Sequence, residues 1–110
     1  MELAAIIKQK NRLVFQLQDA KADGDAPRVS SLARRAAVLE GQIAAELLAD
    51  DRTEDAVVNL ISQGSCLLLS GDHRAAVKVL AAARSLTRKP RLLEFIDELC
   101  GRAANGPRRQ

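Results

Sequence analysis

The chain has 110 residues, of which 47% are apolar, 28% are charged and 2% are aromatic, and its net charge is +3. This length is enough for one domain with a modest core. The apolar residues are mainly Ala, Leu, Val and Ile, with no Trp or Tyr. Because Ala and Leu favour helices and the aromatic residues that favour strands are scarce, the composition predicts an all-α protein.

The N-terminal segment and the two cysteines indicate the cellular compartment of the protein. Residues 1–15 include Glu2 and carry further charges within a few residues of one another, which is typical of neither a signal peptide nor a membrane span. Cys66 and Cys100 are too few for a disulfide framework and suit a reducing environment. We therefore expect a cytoplasmic protein that does not bind membranes.

Residues 1–50 are predicted to form an antiparallel helical hairpin. Apolar residues recur at about 100° per residue over residues 2–22 and again over 26–49, as on helices with one buried face. Gly24 fits the left-handed end of the first helix, and Asp25 fits the cap of the second. Because the connection is so short, the two helices must pack antiparallel. The apolar arc of the second helix is wide enough to contact two neighbours.

Two charged residues interrupt the apolar faces of this hairpin. Lys10 lies at the centre of the first helix's face, and Glu40 lies within the arc of the second. In a hairpin that turns near residues 24–25, position 10 is level with position 40, so we expect the two side chains to pair. Such a pair adds little net stability but strongly penalises a slipped register. The alternative is that both side chains extend to water.

Residues 51–103 are predicted to form a second helical hairpin and a capping helix. The third helix begins near Asp51, with Glu54 in capping-box spacing, and ends near Ser70. The fourth helix covers residues 73–87 and follows a glycine stop and an aspartate cap.

Pro90 begins the predicted fifth helix, whose apolar face includes Phe95. The sequence after Gly101 lacks apolar periodicity, and residues 104–110 are expected to form a disordered basic tail. The helical regions together are expected to make one compact domain.

Small and large apolar residues follow a defined order in the third and fourth helices. In sequence they are Leu60, Gly64, Leu67, Ala76, Leu80 and, further on, Pro90. This order and the twelve-residue step from Gly64 to Ala76 resemble a tetratricopeptide (TPR) unit over residues 54–100. The sequence departs from the family pattern, since Leu replaces both aromatic residues and Gln63 replaces a Leu. The resemblance implies two closely packed antiparallel helices in a module that binds other proteins.

The chain also resembles small helical chaperones of type III secretion needle subunits, which join a coiled-coil hairpin to a TPR-like body. Residues 54–80 and 89–99 carry this second resemblance. It implies a chaperone that shields an aggregation-prone helix of its partner.

The sequence holds no set of residues typical of catalysis or metal binding. His73 is the single histidine, and no acid and nucleophile are arranged with it as a general base requires. Neither cysteine has a CxxC neighbour, and the acids of residues 50–55 lack the spacing and glycine of an EF-hand. The glycines occur singly, so no phosphate-binding loop is present. We therefore predict no catalytic, cofactor-binding or metal-binding residue and expect that the protein is not an enzyme.

Positive charge is concentrated late in the chain. Residues 1–55 hold ten acids and eight bases, net −2, and the remainder hold four acids and nine bases, net +5. The candidate partner-binding bases are Arg84, Arg88, Lys89 and Arg91. An acidic protein partner, a phosphate backbone or simple solubility would each account for them. The lack of stacking aromatics and of a groove-reading motif makes nucleic acid the less favoured partner.

Phe15 is the other candidate partner-binding residue. On a helical wheel it lies about 150° from the centre of the first helix's apolar face, among charged and polar residues. It is expected either to anchor against the TPR-like half or to contact a partner or a second copy of the chain. The alternative is a lone exposed residue, which needs no explanation.

Together these features favour a non-catalytic adaptor or small chaperone that binds a helix or peptide of another protein. The alternative is a basic accessory protein associated with nucleic acid, and a homodimer is a further possibility.

Overall fold

A computed structural model describes residues 2–105, and these fold into five α-helices. They are α1 (Leu3–Ala22), α2 (Ala26–Ala49), α3 (Thr53–Leu69), α4 (His73–Leu86) and α5 (Pro90–Asn105). The all-α prediction is confirmed, and the first four helices begin and end within two residues of the predicted positions.

The end of α5 differs from the prediction. Residues 104 and 105, assigned to a disordered tail, are helical, and so are the residues that follow Gly101. The buried Ala103 continues the apolar face formed by Ile96 and Leu99, which holds the last turn against the core. Residues 106–110, the remainder of the predicted tail, lie outside the described residues.

The connections α1–α2, α2–α3 and α3–α4 share one turn conformation. Each contains a residue with positive φ, namely Gly24 (69°), Asp51 (60°) and Gly71 (86°). In each turn, the next N–H donates to a carbonyl five residues back along the chain. The three N-to-O distances are 3.0 Å for Asp25 to Ala20, 2.8 Å for Arg52 to Leu47 and 2.9 Å for Asp72 to Leu67. This is the Schellman motif, and it satisfies the last carbonyls of each helix while it reverses the chain.

Two of the predicted caps are confirmed and one is wrong. The carboxylates of Asp25 and Asp72 accept hydrogen bonds from the first turns of α2 and α4, at 3.2 and 3.1 Å. Asp51 does not cap α3, because position 51 falls where the chain must turn left-handed to leave α2. Glu54 does not complete a capping box either, since its carboxylate accepts a hydrogen bond from the hydroxyl of Thr87 at 2.9 Å.

The helices form two layers. α2 packs against α1 and α3, α4 packs against α3 and α5, and α3 also contacts α5. The shortest dimension of the molecule is 20 Å, which is the thickness of two packed helices. Hence α1, α3 and α5 lie in one layer and α2 and α4 in the other. The prediction that α2 contacts two neighbours is confirmed.

Small residues let α3 lie close to both helices of the other layer. Toward α2, a Cβ atom added at Gly41 would be 2.6 Å from Nε2 of Gln63, which is on α3. Toward α4, a Cβ atom added at Gly64 would be 2.7 Å from Cγ and Cδ2 of Leu80. Leu80 and Ala76 are both fully buried at this contact. The close packing of α3 and α4 therefore depends on the absence of a side chain at position 64.

These two glycines are expected to respond in opposite ways to substitution by alanine. Gly64→Ala forces a methyl group against the immobile Leu80, and overpacking of this kind costs about 1–3 kcal/mol. Gly41→Ala meets only the end of a flexible glutamine side chain, and it removes the penalty of about 1 kcal/mol for glycine inside a helix. We expect Gly64→Ala to lower the free energy of unfolding and Gly41→Ala to maintain or raise it, measured by urea denaturation. Equal effects of the two substitutions would contradict the assigned contacts.

Candidate functional site

α3 is covered by its neighbours on all but one side. The open side presents Val58, Ser62, Ser65 and Leu69, which recur at spacings of four, three and four residues along one face of the helix. In the described part of the chain, no Cα of α1 comes within 8 Å of a Cα of α3. The two helices therefore stand apart above α2 and leave a cleft between them.

Three adjoining cavities follow this open side. One of about 290 Å³ lies between α1 and α3, and one of about 240 Å³ lies between α3 and α5; Val58 lines both. A third, of about 270 Å³, lies at the C-terminal end of α3 and shares Ser65 with the second. We call this continuous surface, which α1, α3 and α5 line, the α3 groove.

The groove gathers exposed apolar side chains from all three helices of its layer. Val58 and Phe95 are 51% and 54% exposed, and Ile7 and Leu69 are exposed to a lesser degree. Half of the large apolar residues exposed within residues 2–105 lie here. The others are Phe15, Val38, Leu48 and Val77, and none of these lines the groove.

Phe95 was predicted in the core and is instead at the edge of the groove. The neighbouring Ile96 and Leu99 are buried and fill the space between α5 and the two helices it contacts. Because α5 has neighbours on one side only, Phe95 at the margin of its apolar face remains open to solvent.

Phe15 lies far from the groove. Its side chain is 72% exposed on the face of α1 that points away from the core, and it lines none of the cavities described above. The prediction that it anchors internally against the TPR-like half is therefore wrong, because α1 turns its opposite face to α2. A contact with a partner or a second copy stays a prediction.

The predicted basic cluster is divided by the structure. Arg84 forms an ion pair with Asp97, which joins α4 to α5. Arg88 and Lys89 are exposed in the connection between these helices. Arg91 lies beside Phe95 on α5, where Glu94 and Glu98 border the same depression. The four bases therefore do not form a single uncompensated positive surface.

A buried carboxylate lies beneath the part of the groove between α1 and α3. Glu40 is 3% exposed, and its Oε1 accepts a hydrogen bond from Nδ2 of Asn59 on α3 at 2.6 Å. Burial raises the pKa of Glu40, and the Lys10 ammonium, the Asn59 amide and the Ser62 hydroxyl oppose that increase. Lys10 and Asn59 also line the cleft, so the polar groups around Glu40 face the groove.

The predicted Lys10–Glu40 ion pair is not formed. The ion pairs within 4.0 Å among residues 2–105 are Arg52–Asp55 and Arg84–Asp97. Lys10 is near enough to stabilise the carboxylate of Glu40. This agrees with the prediction that positions 10 and 40 lie level with each other in the hairpin. The direct partner is Asn59, because the small residues of α2 bring α3 within reach of Glu40.

Cys66 belongs to the same buried region. Burial and the nearby Glu40 carboxylate raise the pKa of the Cys66 thiol to about 11. At neutral pH the thiol is therefore protonated and a poor nucleophile. It packs with leucine and alanine residues of α1 and α2 in the core.

Within residues 2–105, the side chains around the groove form no further cluster of metal-binding or catalytic groups. Nδ1 of His73 lies 3.1 Å from the carbonyl oxygen of Gly71, so this nitrogen donates. Within residues 2–105, no three His, Cys, Asp or Glu side chains are grouped to hold a metal ion. No helix in that range is long and apolar enough to cross a membrane.

Comparison of the chain with protein-family models, with curated proteins and with solved structures gave no match in any of the three. The TPR and chaperone resemblances therefore rest on the residues quoted for them.

Sequence reasoning missed the open face of α3, although the lack of charge on this helix distinguishes it in the sequence. No charged residue occurs between Ala56 and Gly71, whereas the other helices carry charges every few residues. A helix without charges on any side is typical of one that is covered all round. In the structure one side of this helix is not covered.

Replacement of Glu40 tests the buried carboxylate. Because its pKa in the folded state is raised above 4.5, this residue's contribution to stability is complete below that pH and is lost as pH rises through the folded value. Glu40→Gln keeps an acceptor for Asn59 and carries no charge. We expect the variant to be more stable than the wild type at neutral pH and the difference to vanish toward pH 4.5, by urea denaturation at several pH values. Glu46→Gln, an exposed change on the same helix, serves as control; a wild type equal to Glu40→Gln at every pH would contradict the account.

Proposed function

We propose that this protein is a non-catalytic interaction module, an adaptor or small chaperone, that holds a helix or peptide of another protein in the α3 groove. The observation that supports the proposal is the uncharged open face of α3. Val58, Ser62, Ser65 and Leu69 form a stripe that the fold leaves accessible, and apolar residues of α1 and α5 extend it on both sides.

The exposed apolar residues on and beside this stripe support the proposal. Exposed apolar residues that occur singly need no explanation, but a contiguous group that spans three helices marks an interaction site. Polar side chains rim the groove, as in protein interfaces with an apolar centre.

The dimensions of the groove suit a helix. α3 has 17 residues, which gives it a length of about 25 Å at a rise of about 1.5 Å per residue. A partner helix of four to five turns would lie along it. Apolar residues spaced three and four apart on that helix would face Val58 and Phe95. This is the helix-in-groove mode of recognition, in which apolar anchors supply most of the binding energy.

The alternative of a nucleic-acid accessory protein has weaker support. Arg84 is engaged with Asp97, and Arg91 is flanked by Glu94 and Glu98, so a phosphate backbone would meet mixed charge at this end of the molecule. The exposed apolar residues of the groove have no role in nucleic-acid binding.

Val58→Asp tests the proposal, with Val77→Asp as a matched control. Both valines lie inside a helix and are about half exposed, at 51% and 42%, but Val77 is on the outer side of α4. The charge at position 58 would be buried without a partner when the groove is occupied, so binding should fall by tenfold or more. We expect proteins captured from an extract of the source cells by the wild type and by Val77→Asp to be lost with Val58→Asp.

Circular dichroism and thermal unfolding of the three proteins show whether each remains folded. Capture of the same proteins in the same amounts by both variants would place the interaction elsewhere and overturn the proposal.

A further inference from the structure

We infer that the segment which occupies the α3 groove is an amphipathic helix with an acidic edge, whose carboxylates lie over Lys21 and Arg102. This inference rests on the proposed function and adds the chemistry of the partner. It follows from the distribution of charge along the groove.

Cations outnumber carboxylates among the groove-lining residues. The three cavities are bordered by Lys10, Lys21, Arg52 and Arg102, and the carboxylate that borders them is that of Asp55. Asp55 already pairs with Arg52 at 2.7 Å. The other acids near the groove, Glu94 and Glu98, lie beyond Phe95 with Arg91. The groove itself therefore carries an excess of positive charge.

The excess of positive charge is greatest at the C-terminal end of α3. Lys21 of α1 and Arg102 of α5 border the cavity there on opposite sides of Ser65 and Leu69, together with His73 of α4. Neither cation takes part in an ion pair within 4.0 Å among residues 2–105. Each lies in the last turn of its helix, where a cation stabilises the helix end. That role explains a base near each helix end, and the common direction of α1 and α5 in one layer brings both bases to the same cavity.

Lys10 continues this charge along α1. It precedes Lys21 by three helical turns and faces the same cleft, about 16 Å away at the rise of an α-helix. The Glu40 carboxylate beneath it compensates part of its charge. The stronger positions for a partner's carboxylates are therefore Lys21 and Arg102, and Lys10 is a weaker one.

The groove is lined by both apolar and positively charged groups. This combination favours an acidic amphipathic helix over a phosphate backbone or a second copy of the chain. A phosphate backbone would satisfy the cations but would leave Val58, Leu69 and Phe95 against charged groups. A second copy docked groove to groove would bring the cations no free carboxylate, since Asp55 of the groove already pairs with Arg52. An amphipathic helix places apolar side chains on the stripe and carboxylates on the rim.

Two synthetic peptides of 18 residues test the inference. Both have the same leucine and alanine stripe, and their edge positions carry glutamate in one and lysine in the other. Binding of each, with an uncharged fluorescent label, is measured by fluorescence anisotropy at low and moderate salt. We expect the glutamate peptide to bind more tightly than the lysine peptide and to weaken as salt rises.

Paired variants locate the contact. Lys21→Gln with Arg102→Gln should weaken binding of the glutamate peptide about fivefold or more at low salt, since two ion pairs are lost. Arg74→Gln with Lys78→Gln is the matched control, because both residues are exposed on the outer side of α4 and the net charge changes equally. The control should change binding less than twofold.

The outcomes separate this inference from the proposed function. Equal binding of the two peptides, or equal effects of the two paired variants, overturns the acidic edge, and sensitivity to Val58→Asp then still supports the groove. If neither peptide binds in a manner that depends on Val58, both proposals fail. A single-stranded oligonucleotide that binds more tightly than the glutamate peptide, and is lost with the Lys21 and Arg102 changes, overturns the inference in favour of nucleic acid.

Discussion

The close approach of α3 to α2 and α4 determines where the other helices lie. Toward α4 it exists because Gly64 has no side chain where Leu80 must pass, and toward α2 the contact with Gly41 is made by the flexible side chain of Gln63. Held in this way against two helices of one layer, α3 contacts α5 within its own layer and is separated from α1. The cleft between α1 and α3 and the open face of α3 are direct consequences of this arrangement. A groove of this kind needs no dedicated loop, since the helices that form the core also form its walls.

The same approach explains the polar site beneath the groove. Glu40 occupies the middle of the apolar arc of α2, and α3 comes near enough for Asn59 to donate to its carboxylate. Burial without a direct cationic partner is unfavourable for the ionised group, and this raises its pKa. The cost is offset in part by Lys10 of α1 and by Asn59 and Ser62 of α3. These polar contacts also fix the register of α1, α2 and α3, because a slipped helix would leave Glu40 buried and unpaired.

The sequence predicted the features that local chemistry determines and missed those that depend on distant contacts. The turns at Gly24 and Gly71 and the caps at Asp25 and Asp72 follow from neighbouring residues, and they were predicted correctly. Asp51 was misassigned because its positive φ is imposed by the reversal between two long helices and not by its residue type. Phe95 and Glu40 were misjudged for a related reason: periodicity identifies an apolar face, but it does not show where the neighbouring helix ends or which third helix reaches the site. The lack of charge on α3 indicates a helix that is covered on all sides, and only the packing shows that one side remains uncovered.

Site-specific photo-crosslinking in the source cells shows whether another protein covers the open face of α3. A photoreactive amino acid replaces Val58 in one variant and Val77 in another, and the products formed on irradiation are identified by mass spectrometry. We expect a discrete crosslinked protein from position 58, with a helix attached through its apolar side, and no such product from position 77. The same products from both positions, or none from position 58 in a folded protein, would contradict it.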